Sequence, residues 1–189
     1  MNKISPQSIC LNCKKKMPFL RQSDTGTWVC DCGRRYHYKR GIYIFVKSDN
    51  FYEGKFIETV DSGFGLKKYI KEIINYISLS GNEERVWRKA INIGSKINIL
   101  NVGAGGGHSF LMELGAVTSV DLSFRSLINA QNVSEACYQA DVCKLPFEDE
   151  SFDLVFSAHL LGHIQLNKKQ KAIEEIFRVT KKEDFLCTL

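Results

Sequence analysis

From residue 97 onward, short apolar runs alternate with segments of helical spacing. Ile97–Val102, Val117–Val120, Ala136–Ala140 and Leu154–Phe156 read as strands, and Phe185–Leu189 begins a fifth. The first ends in glycines, and Asp121 and Asp141 close the second and third. Between the runs, Asn167–Val179 places Ala172, Ile173, Ile176 and Phe177 on one side of a helix. Strands that are apolar throughout, separated by helices, imply a buried parallel sheet with right-handed crossovers.

The first 96 residues follow other patterns. In residues 48–96, Ile70, Ile73, Ile74 and Ile77 fall on one helical face. Ser80-Gly81-Asn82 breaks that helix, and Asn82 can cap a second one with Glu83 and Glu84 in its first turn. In residues 1–47, Trp28-Val29 and Gly41–Val46 read as strands from their β-branched and aromatic content. Three regions follow: a cysteine-rich segment (1–47), a helical linker or lid (48–96) and an α/β domain (97–189).

With 189 residues, 44% of them apolar and 25% charged, the chain can bury a core and is not a disordered polymer. No export signal is visible and no run approaches the roughly 20 apolar residues of a membrane helix, so a cytoplasmic protein with no membrane partner is expected. Charge is uneven. Residues 1–96 carry 18 basic and 9 acidic side chains, whereas residues 97–189 carry 8 and 12. The basic half suits a polyanion such as RNA, or is simply a solvated surface.

Seven cysteines without an export signal argue against a disulfide framework. Cys137, Cys143 and Cys187 sit among apolar residues, as inert buried thiols do. The other four, Cys10, Cys13, Cys30 and Cys32, form two close pairs separated by sixteen residues. Two such pairs brought together across a hairpin give the tetrahedral sulfur shell of a structural zinc ion. The second pair is one residue tighter than the commoner spacing, which leaves His37 as a reserve ligand. Four unpaired thiols in a small hairpin are the alternative.

The first strand of the α/β domain runs directly into Gly103-Ala104-Gly105-Gly106-Gly107. In a doubly wound sheet, ligands bind beyond the carboxyl ends of the strands, and glycines there admit ligand atoms close to the backbone. A helix from about Ser109 is expected to point its amides at that place. Asp121 is placed to accept ribose hydroxyls and Asp141 to meet an adenine amino group, although each can also serve as a local cap. A nicotinamide dehydrogenase uses a related fingerprint, but with glycine or alanine where this chain has His108.

These segments resemble the class I S-adenosylmethionine (SAM) dependent methyltransferases, of the kind called type 11. Ile99-Leu100-Asn101-Val102-Gly103-Ala104-Gly105-Gly106-Gly107 resembles their first motif and Val120-Asp121-Leu122-Ser123 their second. The stretch Ala140 to Val155, with Leu145-Pro146-Phe147-Glu148-Asp149-Glu150-Ser151-Phe152-Asp153 inside it, is similar to the link between their third and fourth strands. Glu175-Ile176-Phe177-Arg178-Val179 resembles the helix before their fifth. The resemblance covers about 97–189 and implies a Rossmann-like, doubly wound SAM-binding sheet. It implies that Gly103, Ala104, Gly105 and Gly107 line the cofactor. It further implies that Asp121 holds the ribose, that Leu122 flanks the adenine, that Asp141 and the Val142 amide read its edge, and that Ser157 to His159 lie beside the sulfonium.

Three departures accompany it. Asn101 stands where an acidic residue is usual, and Lys181-Lys182-Glu183-Asp184 replaces a lysine-proline-glycine-glycine turn. The family's last strands do not follow Phe185–Leu189, which implies an apolar edge at Phe185-Leu186-Cys187. A fragment, an edge covered by a partner or a second copy, and a degenerate relative are the alternatives.

The segment from Cys30 to Ile42 looks like the zinc ribbon that precedes some class I methyltransferase domains, the rRNA guanine-N1 methyltransferases among them. That layout implies a methyl acceptor that is an RNA base or a small molecule. Arg34, Arg35, Lys39 and Arg40 are the ribbon residues suited to contact RNA or a protein. His159 and His163 follow the fourth strand at a spacing that shares one helical face. Either is a candidate general base, and packing or hydrogen bonding is the alternative. A non-catalytic SAM-binding adaptor is the second reading of the chain.

Overall fold

The computed structural model describes residues 8–17, 25–46, 97–158 and 160–181. The isoleucine face from Ile70 to Ile77, the Asn82 cap, His159, the run Phe185–Leu189 and Cys187 lie outside these residues.

The N-terminal strands are β1 (Gly26–Val29), β2 (Arg35–Lys39) and β3 (Ile42–Ile44). The remaining strands are β4 (Ile97–Val102), β5 (Gly115–Asp121), β6 (Ala136–Gln139) and β7 (Leu154–Phe156). The helices are α1 (Leu111–Leu114), α2 (Phe124–Ala130), α3 (Leu160–His163) and α4 (Leu166–Val179). All seven strands form one sheet in the order β1-β2-β3-β6-β5-β4-β7. β4 pairs in parallel with β5 and β7, and β6 with β5 and β3, while β1, β2 and β3 form an antiparallel meander. Chain order reverses at β4, with β5 and β6 on one side and β7 on the other. That reversal is the place where a Rossmann-like sheet opens a ligand crevice at its carboxyl edge.

β2 is a strand that the β-branched count overlooks. Arg35 to Lys39 alternates exposed and buried positions, with Tyr36 and Tyr38 turned inward. β3 then joins the parallel sheet, with Ile42, Tyr43 and Ile44 opposite Cys137, Tyr138 and Gln139. Aromatic rings hold this junction. Tyr43 stacks on Tyr138 at 4.7 Å, and Tyr138 meets Phe147 edge-on at 5.0 Å.

Both faces of the sheet are covered. On one face Ile42 and Cys137 pack against Leu127 and Ala130 of α2. On the other, Leu100, Val102, Val120, Tyr138 and Val155 meet Ala172, Ile176 and Val179 of α4, together with Cys10, Leu11 and Met17 of the N-terminal segment. The buried face of α4 is therefore Ala172, Ile176 and Val179. Phe177, expected inward, is 55% exposed, because it lies about 100° around the helix from Ile176.

The helix expected from Ser109 is reduced to the four residues of α1, which begin at Leu111. Only twelve residues link β4 to β5, and the glycine turn takes the first five. The first α1 amides bond back to the carbonyls of His108, Ser109 and Phe110. No described helix is long and apolar enough to cross a membrane.

Candidate functional site

The glycine turn is fixed to the end of β5. Gly103 and Ala104 donate their amides to the Val120 carbonyl at 2.9 and 3.1 Å, and Gly107 donates to Ala104 at 2.8 Å. Gly103, Gly105 and Gly107 all have positive φ, at 66°, 53° and 87°. The three glycines do different things. A Cβ on Gly103 would lie 2.8 Å from Leu160 Cδ1, and one on Gly107 would lie 2.3 Å from Val133 Cγ2. Around Gly105 no atom of the described residues lies within 4 Å of that position, so the turn has an open side among them.

Asp121 faces this turn. Its Oδ2 accepts the Gly105 amide and its Oδ1 the Ser123 amide, both at 2.8 Å. Each oxygen is thus oriented by a backbone donor. The next residue, Leu122, is held through its carbonyl, which accepts from Gln139 Nε2 at 2.9 Å. Asp141 Oδ1 accepts the Cys143 amide at 2.9 Å and starts a 3-10 turn over Val142–Lys144, with Val142 buried. Asp141 thus caps locally, whereas the cap of α2 is Ser123 and not Asp121.

Just before the turn, at the end of β4, Asn101 is fully buried, with neither side-chain Oδ1 nor Nδ2 hydrogen-bonded among the described residues. Burying an unpaired amide costs about 1–3 kcal/mol, and such a group marks a place where a polar partner belongs. The open side at Gly105, the aimed Asp121 carboxylate and this orphaned amide together fit a polar ligand carrying hydroxyl and amino groups.

Ser157 is buried just past β7, and Leu160 of α3 rests on Gly103. His163 ends α3 and is exposed, while its partner in the expected pair, His159, lies outside the described residues.

The stretch after Asp141 is held by groups that pattern reasoning did not single out. Glu175 Oε2 accepts the Leu145 amide at 2.8 Å. Arg178 donates to the carbonyls of Phe147 (2.8 Å) and Leu145 (3.1 Å), to Asp149 (2.7 Å), and to both oxygens of Glu175 (2.8 and 2.9 Å). Burial acts to raise the Glu175 carboxyl, but the guanidinium and the Leu145 amide hold it below its usual range. The i, i+3 spacing of Glu175 and Arg178 was the available signal; that their shared targets are loop carbonyls was not encoded in it.

The four N-terminal cysteines converge. Their sulfurs all lie within 4.8 Å of one another, with Cys10 to Cys32 at 3.6 Å and Cys13 to Cys30 at 3.4 Å. A tetrahedral metal with bonds of about 2.3 Å sets its sulfurs about 3.8 Å apart, so the donor set fits. Each pair sits on a tight turn relieved by a left-handed residue, Lys14 (φ 62°) after Cys13 and Gly33 (φ 83°) after Cys32. Cys10 is buried, yet hydrogen bonds from the Tyr36 hydroxyl and from the Cys13 and Asn12 amides bring its thiol down to about 6. His37 is not in the group; its Nδ1 pairs with Thr27 Oγ1 at 3.0 Å on the exposed face of the hairpin. Cys137 and Cys143 are buried, and burial pushes their thiols up to about 12 and about 11.

Comparison with known proteins gives partial matches. The chain is 40% identical over 80 residues to an uncharacterized protein of Haemophilus influenzae, a match covering 38% of this chain and 32% of that protein. It is 33% identical over 85 residues to a candidate methyltransferase of Encephalitozoon cuniculi, covering 44% of this chain and 40% of the relative. The matches thus span about a third to two fifths of the length of these curated relatives. Among solved structures, the YcgJ protein of Bacillus subtilis is similar at 23% identity and a TM-score of 0.49, covering 55% of this chain and 48% of its own. Residues 100–188, which hold the glycine turn, Asp121, Asp141 and the Glu175–Arg178 pair, match the family model described as a methyltransferase domain.

Proposed function

We propose that this chain binds SAM and directs its methyl group to an acceptor, an RNA base or a small molecule, in the cytoplasm. The observation that carries the reading is the hydrogen bond from Gly105 to Asp121, which aims a carboxylate along the open side of the glycine turn. When bound, SAM supplies an activated methyl carbon on its sulfonium.

The protein's part is alignment and exclusion of water. Gly103, Ala104, Gly105 and Gly107 let the cofactor approach the backbone, and Asp121 accepts its ribose hydroxyls. Leu122 flanks the adenine, and Asp141 with the Val142 amide reads its edge. Asn101 gives its orphaned amide to the methionine end, and Ser157 with Leu160 closes that end from water. His163 and His159 are the proposed bases for an acceptor that must lose a proton before transfer. Cys10, Cys13, Cys30 and Cys32 hold a structural zinc ion, a closed shell with no open position for chemistry.

Calorimetric titration with SAM tests binding, and well-folded protein showing no heat of binding rejects the reading. Incubation with methyl-labelled SAM and fractionated extract tests transfer. Label in RNA supports the RNA acceptor and label in metabolites the small molecule. SAM binding with no label in any fraction removes the transferase reading.

A further inference from the structure

We propose that the N-terminal thiol knuckle is a brace for the adenine-side wall of the cofactor site, so that zinc loading sets SAM affinity. This rests on reading residues 141–148 as that wall. Residues 8–17 lie directly on it. The Ile9 amide donates to the Pro146 carbonyl at 2.9 Å, and Ser8 forms an antiparallel bridge with Phe147. At the far end of the knuckle, Lys16 pairs with Glu148 at 3.1 Å. Ile9 and Lys16 bridge each other, and Met17 donates to Ser8 at 2.8 Å, so the loop closes into one piece with Cys10 and Cys13 inside it.

A second route joins the same two places through the core. The Tyr36 hydroxyl accepts the Leu11 amide at 2.8 Å and meets Cys10 Sγ at 3.1 Å. The Tyr36 ring packs on Phe45 at 4.8 Å, Phe45 on Tyr138 at 6.1 Å and Tyr138 on Phe147 at 5.0 Å. Phe147 is therefore gripped from the knuckle, through backbone and rings, and from α4 by Arg178. Ten residues cannot bury a core of their own, so metal closing the four thiolates fixes the knuckle backbone. Without metal the wall loses the knuckle and keeps its contacts with α4, Tyr138 and Phe152. Tyr36 and Ile9 are positioning residues in this scheme; neither touches the reacting atoms.

If the wall is ordered about a tenth of the time without its brace, apparent SAM affinity falls about tenfold. The decisive variant is Ile9→Pro, which deletes the amide donated to Pro146 and leaves every thiol in place. Zinc content, SAM affinity by calorimetry, and deuterium uptake by residues 141–148 are measured on the wild type and the variant. The expected result is a full zinc complement in Ile9→Pro, SAM binding weakened about tenfold and faster deuterium uptake across 141–148. Wild-type SAM affinity and uptake in zinc-loaded Ile9→Pro overturn the brace. So does chelator-stripped wild type that remains folded with unchanged affinity and uptake; if stripping unfolds the chain, Ile9→Pro decides alone. Zinc-loaded wild type that binds no SAM rejects the cofactor reading instead, and deuterium uptake still decides the brace.

Discussion

Tyr43 of β3 and Tyr138 of β6 lie opposite each other in register and stack at 4.7 Å with only 11° between their rings. The pair is the seam where the antiparallel meander joins the parallel sheet. Both side chains are buried, so Tyr43→Ala leaves a cavity on the seam and is expected to destabilise the protein by about 3 kcal/mol. Tyr43→Phe keeps the ring pair and most of the stability. Thermal melts followed by circular dichroism check this. A Tyr43→Ala melt within a degree of wild type would show that the stack contributes little.

The three left-handed glycines separate folding from binding. At Gly103 and Gly107 an added Cβ collides with Leu160 or Val133, so Gly103→Ala and Gly107→Ala are expected to lower the melting temperature markedly. At Gly105 an added Cβ meets no atom of the described residues, and the φ of 53° is the strain, costing about 1 kcal/mol. Gly105→Asn puts a side chain on that side with a residue that tolerates left-handed backbone. It is expected to fold nearly normally and to lose SAM binding by more than about tenfold, since even one displaced contact of 1.4 kcal/mol has that effect. Normal SAM binding by Gly105→Asn would move the cofactor away from the turn.

How much of this was legible in the sequence differs from element to element. β4 and β7 were readable because a strand buried on both faces is a continuous apolar run. β2 was missed although Arg35-Tyr36-His37-Tyr38-Lys39 alternates cleanly, because its inward residues are tyrosines between charges. The pairing of Ile42 with Cys137 was beyond reach, since periodicity describes a strand and not its distant partner. Residue type permitted positive φ at every glycine of the turn, but only Gly103, Gly105 and Gly107 adopt it. The burial of Asn101 did not, because an amide at the end of an apolar run gives no sign of whether a neighbour will satisfy it.

Acid should expose the Glu175–Arg178 clamp. Burial opposes ionisation of Glu175, but Arg178 and the Leu145 amide outweigh it and leave the carboxyl below its ordinary value of 4.5. A group lowered in the folded state stabilises the protein fully above its unfolded value, and that contribution is lost as pH falls through the folded value. Stability should therefore decline as pH drops below 4.5, with Asp153, also lowered despite burial by Lys181 and the Asn98 amide, adding to the slope. Glu175→Gln is expected to cost about 2 kcal/mol at neutral pH, the usual value for hydrogen bonds to a charged group, and to flatten the acid limb. Denaturant titrations across the pH range measure both. An acid limb as steep in Glu175→Gln as in wild type would assign the slope elsewhere.

Asn101 poses the sharpest conflict between stability and binding. Its amide is buried in β4 with both polar atoms unpaired among the described residues, a cost the ligand-free protein bears. Valine is nearer to asparagine in volume than the larger aliphatics, favours a strand and removes both unpaired atoms, so Asn101→Val should stabilise the ligand-free protein by about 1–2 kcal/mol. The same change takes away the polar group proposed to meet the methionine end of SAM, and affinity should drop about tenfold, the equivalent of one hydrogen bond of 1.4 kcal/mol. Melting curves with and without SAM test both halves at once. The ligand-free variant should melt above wild type, while the upward shift produced by saturating SAM should shrink. A variant that melts lower in the absence of SAM would mean that Asn101 already has a partner in the folded protein. Stabilisation with an unchanged SAM shift would leave the buried amide without a role in binding. Only a gain in stability together with a loss of affinity is consistent with an amide left unpaired for its ligand.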